Sequence, residues 1–202
     1  MKSKTGVVFM AIGAVLITAA LSLAFYNIHT DRNAGDYAEK TLEEIESQMP
    51  ELENPSEIPE INGNQLIESE LMDSAEIDGY SYVGIIHIPS LDIKLPVMSK
   101  WNYENLKLSP CLYNGSLKEN SMIIAAHNYS SHFGKIKELK SDDEVYFIDM
   151  KGYVYAYKVC ETDILDGTDT EEMKSGNWPL TLFTCNFSGT QRVTVRCDNM
   201  NN

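Results

Sequence analysis

From Tyr80 onward the chain is a succession of short segments that favour extended backbone. They read YVGIIHIP (82–89), IKLPVM (93–98), SMIIAA (121–126), EVYFIDM (144–150), YVYAYKVCETDIL (153–165), LTLFTC (180–185) and TQRVTVRC (190–197). Branched and aromatic side chains fit a pleated surface, and the Gly, Pro, Asn and Asp residues between them fit turns. YVYAYKV alternates, so one of its faces is expected to meet water. Met150-Lys151-Gly152 and Ser188-Gly189 mark hairpin turns. Short helical pieces are expected at 102–107 and 133–140. Many short antiparallel strands with few helices predict a mostly β domain, a sandwich or a closed barrel; periodicity does not choose between them.

The N-terminus follows another rule. Residues 6–26, GVVFMAIGAVLITAALSLAFY, carry no charge. As a helix they span roughly 30 Å, the thickness of a bilayer core. Lys2 and Lys4 precede them, which orients the N-terminus to the cytoplasm and the rest of the chain outside. Ala20-Leu21-Ser22 is a passable cleavage site. The apolar run nevertheless exceeds the roughly 7–15 residues of a signal-peptide core, which favours an uncleaved anchor.

The net charge of −14 is concentrated just after this run. Residues 31–79 hold 15 acidic side chains against Arg32 and Lys40. Such a stretch is a solvated spacer, and a chain without a basic footprint is not expected to bind nucleic acid. Within it, residues 36–49 can form a helix, with Leu42, Ile45 and Met49 on one stripe and Asp36 at its start. Pro50, Pro55 and Pro59 then punctuate an extended part. The expected organisation is a tip (1–5), a transmembrane anchor (6–26), an acidic stalk (27–79) and a β domain (80–202).

Four cysteines (Cys111, Cys160, Cys185, Cys197) lie on the expected outer side, where disulfides are permitted but a core of this size does not require them. Cys185 ends an apolar strand. If Ser188-Gly189 is a two-residue turn, Cys185 faces Arg192, whereas Arg196 faces Thr181. A nearby guanidinium favours a thiolate and can hold an oxyanion. A surface arginine lying on a half-buried thiol fits the same residues. Thiol chemistry also needs a proton carrier. His127 follows a buried strand where it enters a loop, and His132 lies five residues on; His87 sits mid-strand and His29 near the apolar run. Position favours His127 as the base, with His132 as the alternative. No Cys-x-x-Cys or His-x-x-x-His spacing and no glycine-rich phosphate loop occurs, so neither a metal nor another cofactor is expected. The acidic run 169–172 reads as a solvated loop rather than a calcium site.

Taken together, TLFTC (181–185), Arg192 on the next strand, IIAAHN (123–128), FGKIKEL (133–139) and IHIPSLDIKLPV (86–97) resemble the sortases, cysteine transpeptidases of Gram-positive surfaces. The likeness covers about residues 80–198. It implies a closed eight-stranded barrel, Cys185 as nucleophile, His127 as general acid/base, Arg192 on the oxyanion and Thr184 at the substrate. It further implies a sorting signal similar to Leu-Pro-x-Thr-Gly, a thioester intermediate and an amine acceptor from a peptidoglycan precursor or a pilin lysine. The stalk lacks the Asp-Pro-aromatic lid of many pilin sortases, and the loop before the cysteine strand is too short for the long class B helix. The rival readings are an adhesin on a β-barrel with an inert Cys185, and a cysteine protease that hydrolyses.

Overall fold

A computed structural model of the protein describes residues 4–49 and 72–200; the proline-punctuated part of the expected stalk lies outside them. The chain divides into two compact units, Met1–Asn33 and Ala34–Asn202.

The first unit is helical, the start of helix α1 (Lys4–Gln48). Its apolar residues are exposed, Phe9, Leu16 and Leu23 among them. It is long and apolar enough to cross a membrane. The hydroxyls of Thr18 and Ser22 donate to the carbonyls of Ala14 and Thr18, so they present no unpaired donor to an apolar surrounding.

The second unit is a closed barrel. Its strands are β1 (Ala75–Ile77), β2 (Tyr80–Ile88), β3 (Ile93–Met98), β4 (Cys111–Asn114), β5 (Met122–Ala126), β6 (Glu144–Asp149), β7 (Val154–Asp166), β8 (Leu180–Cys185) and β9 (Gln191–Asn199). Two short helices, α2 (Tyr103–Leu106) and α3 (Thr170–Lys174), lie between them. The strand order is β2-β3-β4-β5-β8-β9-β7-β6, and β6 pairs back onto β2, closing eight strands. This settles the choice between sandwich and barrel. β1 is a short ninth strand paired to β2 outside the ring.

Two apolar clusters follow from side-chain alternation. One fills the lumen, with Ile86, Ile124, Phe147, Leu182 and Val195. The other covers the outer surface of part of the barrel, with Ile85, Ile123, Ala125, Leu165 and Phe183. β5 is therefore buried on both faces, which explains its unbroken apolar sequence. In β2 the alternation breaks at a bulge between Tyr82 and Gly84, so Val83 and Ile86 both reach the lumen cluster.

The segment expected as a stalk takes a different part. The helix does not start at Asp36 but continues from the apolar run. Its residues Ala34, Ala38, Thr41 and Ile45 are buried against the barrel, because their spacing of four, three and four residues puts them on one helix face. Tyr37 and Tyr82 join hydroxyls at 3.1 Å, and Lys40 pairs with Asp78 at 3.4 Å. The compact unit thus begins at Ala34, well before residue 80, and β1 adds to it from the other end of the expected spacer.

Candidate active site

β5 and β8 run parallel and adjacent, with Ala126 register partner to Thr184. The next residue of each, His127 just past the end of β5 and Cys185 at the end of β8, therefore stands at the same rim of the barrel. The Thr184 hydroxyl donates to the Ala126 carbonyl at 2.9 Å and ties the two ends together. Thr184 is 3% exposed. Expected at the substrate, it is turned inward instead, because alternation along β8 sends residue 184 to the face opposite Cys185.

On the other side of β8, antiparallel β9 places Arg192 opposite Cys185 and Arg196 opposite Thr181. This is the register expected from the sequence, reached through a different turn. Asn186 N–H donates to the Gln191 carbonyl and Gly189 N–H to the Asn186 carbonyl, both at 3.0 Å. The loop is thus four residues, 187–190, with Gly189 in the left-handed region at φ 75°. Four and two residues centred on the same point give the same pairing, so the slip that would have exchanged the faces does not occur. Phe187 at the tip is fully exposed.

The two arginines have separate surroundings. Arg192 is half-exposed and donates from Nη1 to the Gly189 carbonyl at 3.0 Å and to the Gln191 carbonyl at 3.1 Å. Arg196 is 4% exposed. It donates from Nη1 to the Met173 carbonyl and Thr181 Oγ1, and from Nη2 to the Glu172 carbonyl, at 2.8, 3.0 and 2.7 Å. It clasps the end of α3 onto the barrel, and burial lowers its pKa.

Beyond His127 the chain winds tightly. His132 N–H and Gly134 N–H donate to the Tyr129 carbonyl, and Phe133 N–H donates to the His127 carbonyl at 3.1 Å. A side chain at residue 134 would meet the Asn128 and Tyr129 carbonyl oxygens at 2.7 Å, so this turn requires glycine. The His127 ring stacks on Tyr129 at 4.7 Å, and Tyr129 lies against His132 at 5.5 Å. His127 is half-buried, and its pKa is lowered by burial and then by the Lys107 charge. His132 is fully buried, so of the two sequence candidates only His127 is open to solvent. His87 lies on β2, which adjoins neither β5 nor β8.

All four cysteines are free thiols. Burial pushes the Cys111 thiol up to about 12 and raises that of Cys197 as well, while Cys185 is half-exposed. Among the described residues no three His, Cys, Asp or Glu side chains group to hold a metal ion.

One feature of this face was not expected. Phe183, two residues before Cys185, meets Tyr113 edge-on at 5.2 Å; Tyr113 meets Trp101 at 5.6 Å, and Trp101 meets Tyr103 at 5.3 Å. Tyr113 belongs to β4 and reaches Phe183 of β8 across the intervening strand β5. Trp101, Tyr113, Lys100 and Asn114 line an open cleft of about 330 Å³. The aromatic residues of WNY (101–103) and CLYNG (111–115) were the available signal, but four residues of strand with a bulge are too few to read from periodicity.

The Sortase domain family matches residues 86–200. The chain belongs to the sortase family. Sortases are cysteine transpeptidases. This sortase is 28% identical over 123 residues to Sortase A of Listeria monocytogenes, a match covering 55% of this chain and 53% of that one, so it spans about half the length of that curated relative. The sortase C of Clostridium perfringens SM101 superposes with a TM-score of 0.51 at 28% identity, covering 59% of this chain and 70% of that one. A C. perfringens sortase C solved with the C-terminal cell wall sorting motif gives 0.52 at 27%, with the same coverage. The closed eight-stranded barrel is the fold this family shares.

Proposed function

We propose that this sortase is a membrane-anchored transpeptidase that cuts a Leu-Pro-x-Thr-Gly-like sorting signal and passes the acyl group to an amine. The observation that carries the reading is the convergence of three side-chain positions at one rim. Parallel pairing of β5 with β8 brings His127 beside Cys185, and antiparallel pairing of β8 with β9 brings Arg192 across from it.

The chemistry divides among them. The Cys185 thiolate attacks the carbonyl carbon of the signal's threonine. Negative charge moves to the carbonyl oxygen, which Arg192 stabilises; both of its present hydrogen bonds use Nη1, and a guanidinium has five N–H donors in all. His127 in its charged form gives a proton to the departing amine, the carbon–nitrogen bond breaks, and a thioester remains on Cys185. An incoming amine attacks the thioester, neutral His127 takes its proton, and the Cys185 thiolate is released. The acceptor class is the amine of a peptidoglycan precursor or a pilin lysine. Residues 6–26 anchor the chain, and Lys2 and Lys4 keep the tip cytoplasmic, so the catalytic unit works outside the cell.

The test is a panel of fluorogenic sorting-signal peptides, with and without an amine, combined with mass spectrometry of Cys185. Amine-dependent ligation and a thioester mass on Cys185 are expected, and both should vanish in Cys185→Ala. Cleavage with no transfer to any amine would assign a protease instead. Turnover retained by Cys185→Ala would overturn the nucleophile.

A further inference from the structure

Helix α1 reaches the loop that carries His127. A Cβ on Gly35 would stand 3.0 Å from Ser131 Cβ and 3.6 Å from Ser131 Oγ. Carbon atoms ordinarily pack at about 3.5–4.0 Å, so the helix backbone touches the loop only because residue 35 has no side chain. Ala34 and Ala38 flank the contact, 3% and 0% exposed. Ala38 enters the same buried cluster as Phe133, whose N–H holds the His127 carbonyl. Ser131 lies inside the tight turn 128–134, so it cannot move without moving that turn. The turn in turn carries Tyr129, on which the His127 ring is stacked.

We infer that the helix face formed by Gly35 and Ala38 positions His127, by bracing the turn 128–134 at Ser131, and that the helix is therefore part of what sets the rate of proton transfer. Gly35 and Ser131 are positioning residues; neither touches the reacting atoms. The inference rests on the reading of His127 as the proton carrier. It goes beyond that reading by giving the helix after the apolar segment a role in the reaction rather than that of a tether.

The full chain in detergent micelles serves as the test, with Gly35→Val, the pair Gly35→Val/Ser131→Gly, and Tyr37→Phe. Tyr37 lies on the same helix as Gly35, and Tyr37→Phe removes its hydroxyl contact to Tyr82 of β2 while leaving the loop contact alone. A misplacement of about 1 Å at a reacting group can cost up to roughly 100-fold, so Gly35→Val is expected to lower kcat about tenfold. KM should stay within about twofold if the helix acts through the position of His127 alone. Removing the Ser131 side chain should restore most of the lost kcat. Tyr37→Phe should lower Tm with kcat held within about twofold. Nuclear Overhauser contacts between the His127 and Tyr129 rings should weaken in Gly35→Val and not in Tyr37→Phe.

Normal kcat and unchanged ring contacts in Gly35→Val would overturn the inference. So would losses of kcat that simply follow Tm in both helix variants. If Gly35→Val does not fold, Gly35→Ala, which adds the one clashing carbon, takes its place under the same criteria. Should the wild type turn over no sorting-signal peptide, the functional reading fails, while the ring contacts still decide whether the helix positions His127.

Discussion

Arg192 is the register partner of Cys185 on the neighbouring strand, yet its guanidinium is bonded to the Gly189 and Gln191 carbonyls of the hairpin joining the two strands. The loop itself thus holds the guanidinium at the hairpin, where a Cβ on Gly167 would stand 3.0 Å from its Nη1. If it stabilises the oxyanion, Arg192→Ala should lower kcat by about 100-fold with little change in Tm. Arg192→Lys should be nearly as impaired, since an ammonium lacks the planar fork. Full activity in Arg192→Lys would show that only a diffuse positive charge is needed there.

Arg196 should behave in the opposite way. Two of its three hydrogen bonds go to α3 carbonyls and the third to Thr181 on β8, and its removal leaves the Met173 and Glu172 carbonyls without that partner. Arg196→Ala is expected to cost about 2–4 kcal/mol of stability by denaturant titration. Any loss of activity should follow the unfolded fraction. A stable Arg196→Ala variant with low kcat would move the oxyanion role toward this residue.

His127 offers a test by pH. Burial and the Lys107 charge hold its pKa below the ordinary histidine value, so the unfolded chain binds this proton more tightly than the folded one. The stability it contributes is full above the ordinary histidine pKa and is lost as pH falls through the folded value. Lys107→Gln removes one of the two causes and should move the imidazole pKa upward, as read from its Cε1–H resonance. No upward movement would mean that burial alone sets the value.

Thr184 separates two roles cleanly. In the structure it joins β8 to β5 through the Ala126 carbonyl. Thr184→Val, nearly the same shape, should lower stability by about 1 kcal/mol with KM for the sorting-signal peptide almost unchanged. A raised KM at unchanged stability would restore the substrate contact that the family resemblance implies.

The sequence reads well where structure is local. β3 and β8 begin and end as expected, because an αL aspartate, Asp92, precedes the first and Pro179 the second. The short strands β1 and β4 escape notice, since three or four residues carry no measurable period. The apolar stripe Leu42, Ile45, Met49 suggests a helix starting at Asp36, but the most buried positions include Ala34, Ala38 and Thr41. Small and polar residues carry little hydrophobic signal; they are buried here because they permit close approach to the barrel.

By itself the sequence determined the opposition of Cys185 and Arg192, because a hairpin's register depends only on the centre and parity of its loop. The tertiary structure decided which histidine is open at the rim that carries Cys185, where Thr184 points, and that Arg196 is buried. Ala126 and Thr184 lie 58 residues apart and meet only through a parallel pairing, after β6, β7 and α3 have crossed the barrel. No local pattern encodes a parallel register of that kind. It is set when the barrel closes and both faces of β5 must be buried at once.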